Sequence, residues 1–195
     1  MWKRYKTGLL SIAALILLGG CGKTTDMTKE ESSTVQESVD ASSSEKEESM
    51  SRIAFEGQDV EGNVVSSEIF SESKLTMVNV WATYCNPCLR EMPDLGELAV
   101  EYDPEEFQII GIISDVQEGM DQKIVDYASD LIGQTGADYT HLILNESVYY
   151  ALLTDVTAVP TTFFIDSDGV ILDTVVGSKD KSAWEEMINA LLEEQ

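Results

Sequence analysis

The segment WATYCNPCLREMPDL, residues 81–95, contains two of the three cysteines of this 195-residue chain. These are Cys85 and Cys88, which form a Cys-x-x-Cys motif. Two thiols at this spacing can supply half of a zinc site, close a structural disulfide, or exchange electrons as a redox-active pair. The sequence around the motif and the place of the third cysteine help to distinguish these kinds of site.

The motif lies between an expected strand and an expected helix. Residues 75–81, LTMVNVW, form a continuous apolar run that predicts a buried strand, and residues 86–102 carry apolar side chains at helical spacing, with a kink predicted at Pro93. Because a helix N-terminus offers free N–H groups and a partial positive charge, it stabilises a thiolate. Cys85 is therefore predicted to be the nucleophile, and Cys88, one turn further on the same face, the resolving thiol.

The two other kinds of site fit the sequence less well. A zinc site needs a full tetrahedral ligand set, but the chain has no second Cys-x-x-Cys and one histidine, His141, in an apolar run that favours a structural role. A structural disulfide across so short a loop removes little chain entropy. We therefore expect a redox-active Cys85–Cys88 disulfide, with no metal and no further cofactor.

The third cysteine follows an N-terminal targeting pattern. A basic start is followed by the apolar run LLSIAALILL, residues 9–18, which is too short to cross a bilayer comfortably. Residues 18–21, Leu-Gly-Gly-Cys, resemble a bacterial lipobox, which predicts a signal peptide over residues 1–20 and lipid on Cys21. An ordinary cleaved signal peptide or an uncleaved anchor, with a chance cysteine, is the alternative. The prediction places the protein outside the cytoplasm, lipid-anchored to the cell membrane.

Charge and composition restrict the partners and the domain organisation. The formal net charge of -24 argues against binding to nucleic acid and against electrostatic binding to anionic lipid. Residues 21–51 are rich in Ser, Thr, Glu and Lys and contain no aromatic side chain, so they are predicted to be a disordered tether. Residues 52–195 are predicted to form one folded domain.

Strand-like and helix-like segments alternate along this domain. A turn at Glu61-Gly62-Asn63 predicts an early β-hairpin, and turn residues at 167–169 predict a second hairpin near the end. The other expected elements are strands or extended segments at 107–114 and 140–145, helices at 121–133, 146–153 and 181–195, and hairpin strands at 161–166 and 170–177. This order predicts an α/β fold with a sheet of mixed direction.

Two segments together resemble a known family. VNVWATYCNPCLREMPDL, residues 78–95, and AVPTTFFIDSDGVIL, residues 158–172, resemble the thioredoxin superfamily, and more closely its membrane-tethered TlpA/ResA-like thiol-disulfide oxidoreductases. The resemblance implies a thioredoxin fold, in which a central mixed β-sheet is flanked by helices. It also implies an N-terminal β-hairpin and a central insertion, which we expect at residues 114–140.

The resemblance assigns roles to individual residues. Cys85 matches the attacking cysteine of the family and Cys88 the resolving one. Pro160 matches a cis-proline that faces the disulfide, keeps metals off the thiols, and exposes the Val159 backbone to an extended substrate. Trp81 is assigned, with Val159 and Pro160, to substrate binding.

Other positions match or depart from the family pattern. Glu91 matches a glutamate of ResA-like members that can exchange protons with the thiols, although a solvated helix charge is the alternative. Asn79 stands where thioredoxins themselves carry a buried Asp. Tyr84 replaces a frequent Trp, and Asn86 replaces an acidic residue. These departures bear on the reduction potential and on the choice of partner.

The resemblance implies a reductase. Electrons would come from a membrane donor of the DsbD/CcdA type and pass to a disulfide in an exported protein, such as apocytochrome c or a methionine sulfoxide reductase. The chain is expected to be a monomer. A disulfide-forming oxidase and a non-catalytic binding lipoprotein are the alternatives.

Overall fold

The computed structural model describes residues 52–195. The predicted signal peptide, the predicted tether and Cys21 lie outside the described residues. Within 52–195, no helix is long and apolar enough to span a bilayer. Seven strands form one mixed sheet with the order β2-β1-β5-β4-β3-β6-β7.

The strands are β1 Glu56–Asp59, β2 Val64–Ser66, β3 Leu75–Trp81, β4 Phe107–Gln117, β5 Thr140–Leu144, β6 Thr161–Asp166 and β7 Ile171–Val176. The helices are α1 Asn86–Glu101, α2 Gln122–Thr135, α3 Glu146–Val148 and α4 Lys181–Glu193. A 3₁₀ helix covers Ser67–Glu72, and a π-helical turn at Tyr149–Leu153 continues α3.

The predicted thioredoxin fold, with a central mixed sheet flanked by helices, is confirmed by this topology. Strands β3, β4 and β5 are parallel, whereas β6 runs antiparallel to β3, and the edge strand β7 runs antiparallel to β6. The N-terminal hairpin turns at Gly62, whose φ of 87° lies in the left-handed region that glycine tolerates. Helix α2 lies inside the expected insertion, and β5 then joins the hairpin to the central strands.

The side chains of β3 alternate between two apolar layers. Leu75, Met77 and Trp81 face α1, α2 and α4, whereas Val78 and Val80 face α3 and the 3₁₀ helix. Both faces of the strand are buried, which explains its continuous apolar sequence. The sheet and its neighbouring helices therefore fix α1, the helix that begins at the Cys-x-x-Cys motif.

Helix α1 runs through Pro93 and packs closely against the end of α2. A Cβ atom at Gly96 would lie 2.2 Å from the carbonyl oxygen of Gly136, so the two helices can approach this closely because position 96 has no side chain. The close approach links the predicted insertion to the helix that carries Cys88.

Candidate active site

Cys85 and Cys88 are joined in a disulfide at the start of α1. Cys85 is the N-cap of the helix, and the backbone N–H of Cys88 donates to Cys85 Sγ at 3.2 Å. Cys85 is 5% exposed and Cys88 is fully buried. The outer sulfur therefore lies where helix N–H groups stabilise negative charge, which is the geometry expected for the attacking cysteine.

The loop between β3 and α1 is tied to the end of β4. The carboxylate of Asp115 accepts hydrogen bonds from the Thr83 backbone N–H and from the Thr83 hydroxyl. The hydroxyl of Ser114 donates to the Trp81 carbonyl oxygen at 2.9 Å. Ser114 and Asp115 are the first polar residues after the apolar run of β4, and this position at the end of a buried strand is the one sequence signal that marks them.

The Val159–Pro160 loop faces the disulfide from the opposite side. The peptide bond between these residues is cis, as the resemblance implies. The Val159 carbonyl oxygen lies 3.6 Å from Cys85 Sγ, across a sequence separation of 74 residues. Tyr84 precedes Cys85 in the sequence, and Val159 faces it in the fold. Both residues line a cleft of about 230 Å³. The structure thus brings Cys85, Val159 and Pro160 together beside a groove.

The position of Trp81 differs from the predicted one. We expected a substrate contact, but the side chain is fully buried and packs in the same apolar cluster as Cys85 and Cys88. Its Nε1–H donates to His141 Nδ1 at 3.1 Å. Trp81 therefore supports the site from inside the protein. The aromatic ring at the surface is that of Tyr84, which is 73% exposed.

Glu91 is a residue of α1, and its carboxyl group is buried. It is 3% exposed, so the alternative of a solvated helix charge is wrong. Asn79 Nδ2 donates to Glu91 Oε1 at 3.2 Å, and the Lys179 backbone N–H donates to Oε2 at 3.2 Å. Burial raises the pKa of Glu91, and these two hydrogen bonds oppose the rise. Asn79 also donates to Thr162 Oγ1, so the strand amide fixes the orientation of the helix carboxyl.

Within residues 52–195, the ionisable side chains do not form a metal site. No three His, Cys, Asp or Glu side chains of this region converge as ligands. The arrangement that is present consists of an outer sulfur at a helix N-terminus, an inner sulfur, a facing backbone carbonyl and a buried carboxyl. This arrangement can perform thiol–disulfide exchange, which requires no further cofactor.

Comparisons with known proteins agree with this chemistry. The chain belongs to the AhpC/TSA family, whose family model matches residues 51–174. It is 28% identical to the thioredoxin-like protein YneN of Bacillus subtilis over 61% of this chain and 66% of that protein. It is also 28% identical to the thiol-disulfide oxidoreductase ResA of Bacillus thuringiensis subsp. konkukian, over 68% of this chain and 72% of ResA.

A solved structure extends the comparison to the fold. A crystal structure described as a putative thiol:disulfide interchange protein DsbE from Chlorobium tepidum is 26% identical, with a TM-score of 0.58. The superposition covers 74% of this chain and 99% of that one. The site and these relatives together define the protein as a thiol–disulfide oxidoreductase, so the non-catalytic alternative is wrong.

The buried carboxyl makes a prediction about pH. Because the pKa of Glu91 is raised by folding, its contribution to stability is fully present below the ordinary carboxyl value and is lost as pH rises through the folded pKa. Glu91→Gln removes this loss, so the variant should gain stability relative to the wild type as pH rises from acid to neutral. Urea unfolding of the oxidised protein across this range measures the difference.

Glu186→Gln, which removes an exposed carboxyl from α4, is the charge-matched control. Equal pH slopes for the two variants would contradict the assignment of the buried charge. The pH dependence of Cys85 alkylation in the reduced Glu91→Gln protein then tests proton exchange with the thiols. An unchanged alkylation profile would leave Glu91 with a structural role only.

Proposed function

We propose that the protein is a membrane-anchored, extracytoplasmic protein-disulfide reductase. The observation that carries this proposal is the position of Cys85 Sγ at the N-terminus of α1, 3.6 Å from the Val159 carbonyl oxygen and beside the cleft. An extended substrate chain that pairs with the Val159 backbone would bring its disulfide to the outer sulfur. The inner sulfur of Cys88 stays covered until the second step.

The positions of the outer and inner sulfurs indicate the order of the reaction steps. In the reduced protein, the Cys85 thiolate attacks one sulfur of the substrate disulfide, the substrate S–S bond breaks, and a mixed disulfide forms while the other substrate sulfur leaves as a thiolate. Cys88, deprotonated, then attacks Cys85 Sγ. The Cys85–Cys88 bond forms and the second substrate thiolate leaves, so two electrons pass to the substrate and both substrate sulfurs take up protons from the medium.

Local charge supports the reducing direction over the oxidase alternative. Strong thiol oxidants such as DsbA depend on a stabilised reduced form. The segment 84–90, YCNPCLR, carries one charged residue, Arg90, whose side chain is exposed. The next residue is the buried acid Glu91, and the whole chain has 36 acidic against 12 basic residues. The helix N-terminus thus stabilises a thiolate with little help from cations, which favours the disulfide form and a low potential.

The proposal includes a donor and a class of substrate. A membrane dithiol protein of the DsbD/CcdA type would reduce the Cys85–Cys88 disulfide after each turnover. The substrate would be an exported protein with an accessible disulfide, such as apocytochrome c or a methionine sulfoxide reductase. The groove beside Cys85, with Tyr84 and Tyr149 on its walls, suits an extended segment with apolar side chains near the cysteine.

Trapping of covalent complexes tests the roles of the two cysteines. In cells, Cys88→Ser should accumulate mixed disulfides with partner proteins, because Cys85 can attack and nothing resolves the product. Cys85→Ser should trap little, because the remaining sulfur is fully buried. Reducing and non-reducing gels followed by mass spectrometry measure the complexes and identify substrate and donor. Stronger trapping by Cys85→Ser, or equal trapping by both variants, would reverse the assignment.

The reduction potential tests the direction. We expect a value near that of thioredoxin, about -270 mV, and activity in reducing insulin. Equilibration with a glutathione or dithiothreitol buffer, followed by alkylation of free thiols, gives the potential. A value near that of DsbA, higher by about 150 mV, would support the oxidase alternative instead.

Attachment to the membrane is tested by Cys21→Ala. The sequence Leu-Gly-Gly-Cys at residues 18–21 supports lipidation at this cysteine. The variant should leave the membrane fraction, whereas wild type should remain there and incorporate labelled fatty acid. A Cys21→Ala protein that stays membrane-bound with its N-terminal segment intact would support an uncleaved anchor.

A further inference from the structure

His141 lies in the sheet beside a glycine that gives its ring space. It is on β5, paired in register with Gly111 of β4. A Cβ atom at Gly111 would lie 2.1 Å from His141 Nδ1, so the imidazole occupies the place of a side chain on the neighbouring strand. The ring is 1% exposed and stacks on Tyr139, with ring centroids 4.4 Å apart. Its position is therefore fixed on several sides.

Both ring nitrogens of His141 have a partner, and the partners fix the tautomer. Trp81 Nε1–H donates to Nδ1 at 3.1 Å, and Nε2 lies 2.9 Å from the Ala137 carbonyl oxygen. An indole N–H can only donate and a carbonyl can only accept, so Nδ1 carries the lone pair and Nε2 the proton. Burial lowers the pKa of His141 to about 4, which agrees with a neutral ring at neutral pH.

The two hydrogen-bond partners of His141 lie in different parts of the fold. Ala137 follows α2, and its N–H donates to the Ile132 carbonyl oxygen at the end of that helix. Trp81 ends β3 and packs in the same cluster as Cys85 and Cys88. A sequence separation of 60 residues lies between His141 and Trp81. His141 thus joins the end of the inserted helix to the indole beneath the redox pair.

We propose that His141 is a positioning residue of the redox site, which holds the Trp81 indole beneath the Cys85–Cys88 pair and thereby favours the disulfide form. The hydrogen bond from Trp81 is present in the structure that contains the disulfide, and the proposal is that this placement of the indole fits the disulfide better than the two separate thiols. The proposal rests on thiol–disulfide exchange alone. It holds whether the protein reduces or oxidises its partners.

Two substitutions test the two hydrogen bonds of the imidazole one at a time. In His141→Asn, the amide oxygen can take the place of Nδ1 and accept from Trp81, while the donor to Ala137 is lost. In His141→Gln, the amide nitrogen can take the place of Nε2 and donate to Ala137, while the acceptor for Trp81 is lost. Both side chains are polar and neutral. His141→Leu removes both bonds and keeps an apolar side chain at the site.

The measured quantity is the equilibrium constant for exchange between the protein and glutathione. His141→Asn should stay close to wild type. His141→Gln and His141→Leu should shift the equilibrium toward the dithiol by up to about fivefold, the ratio reached when the whole hydrogen bond contributes to the disulfide form alone. In a Trp81→Phe background, His141→Gln should cause no further shift, because the donor is already absent. This comparison is between variants, so its outcome is independent of the wild-type potential that tests the direction.

Three results would overturn the proposal: equal constants for wild type and all three variants, equal shifts in His141→Asn and His141→Gln, or a shift toward the disulfide. A measurement on the wild type guards against variants that fail to fold. The chain has one histidine, so its ¹⁵N imidazole resonances are unambiguous. We expect an unprotonated Nδ1 and a protonated Nε2 in the oxidised protein at neutral pH; the opposite tautomer or a charged ring would also overturn the proposal.

Discussion

The N–H of Cys88 donating to Cys85 Sγ is the interaction on which the chemistry of this protein depends. It exists because β3 stops at Trp81 and α1 begins within a few residues, so that a free N–H group of the first helical turn points at the outer sulfur. Much of the surrounding structure fixes this junction. Asp115 holds the Thr83 backbone, and Gly96 lets α1 approach α2. The chemistry of the motif is local, whereas its geometry comes from the whole sheet.

The sequence predicts the strand and the helix on either side of the Cys-x-x-Cys motif, but it does not predict the hydrogen bonds that hold them in place. Strand β3 falls on the predicted residues 75–81 and α1 within one residue of 86–102, because long apolar runs and helical spacing are local properties. The hydrogen bond between Trp81 and His141 is a property of strand pairing: β4 must lie between β3 and β5, and Gly111 of β4 must leave room for the imidazole. No periodicity in one segment contains this information, so the sequence places Trp81 in a buried strand without its partner, and His141 receives only a structural role.

The same limit explains the result for Glu91. Helical spacing places it on the cysteine side of α1, but spacing alone leaves open whether that side faces water or the sheet. The side-chain amide of Asn79 on β3 and the backbone N–H of Lys179 each donate a hydrogen bond to one carboxyl oxygen, so this side of the helix faces the protein interior. Lys179 lies before α4, at a sequence separation of 88 from Glu91, so this contact depends on the complete fold.

Asn79 and Glu91 are best understood as one unit. Asn79 stands where thioredoxins themselves carry a buried Asp, and here its neutral amide donates to the Glu91 carboxyl at 3.2 Å. An Asp at position 79 would place a second carboxylate against Glu91, and two buried like charges at that distance would force one of them to stay protonated. With Asn at this position, the pair holds a single ionisable carboxyl, whose pKa is raised by burial and lowered by the hydrogen bonds from the Lys179 backbone and the Asn79 amide. The single carboxyl of the pair therefore lies on α1, three residues after Cys88.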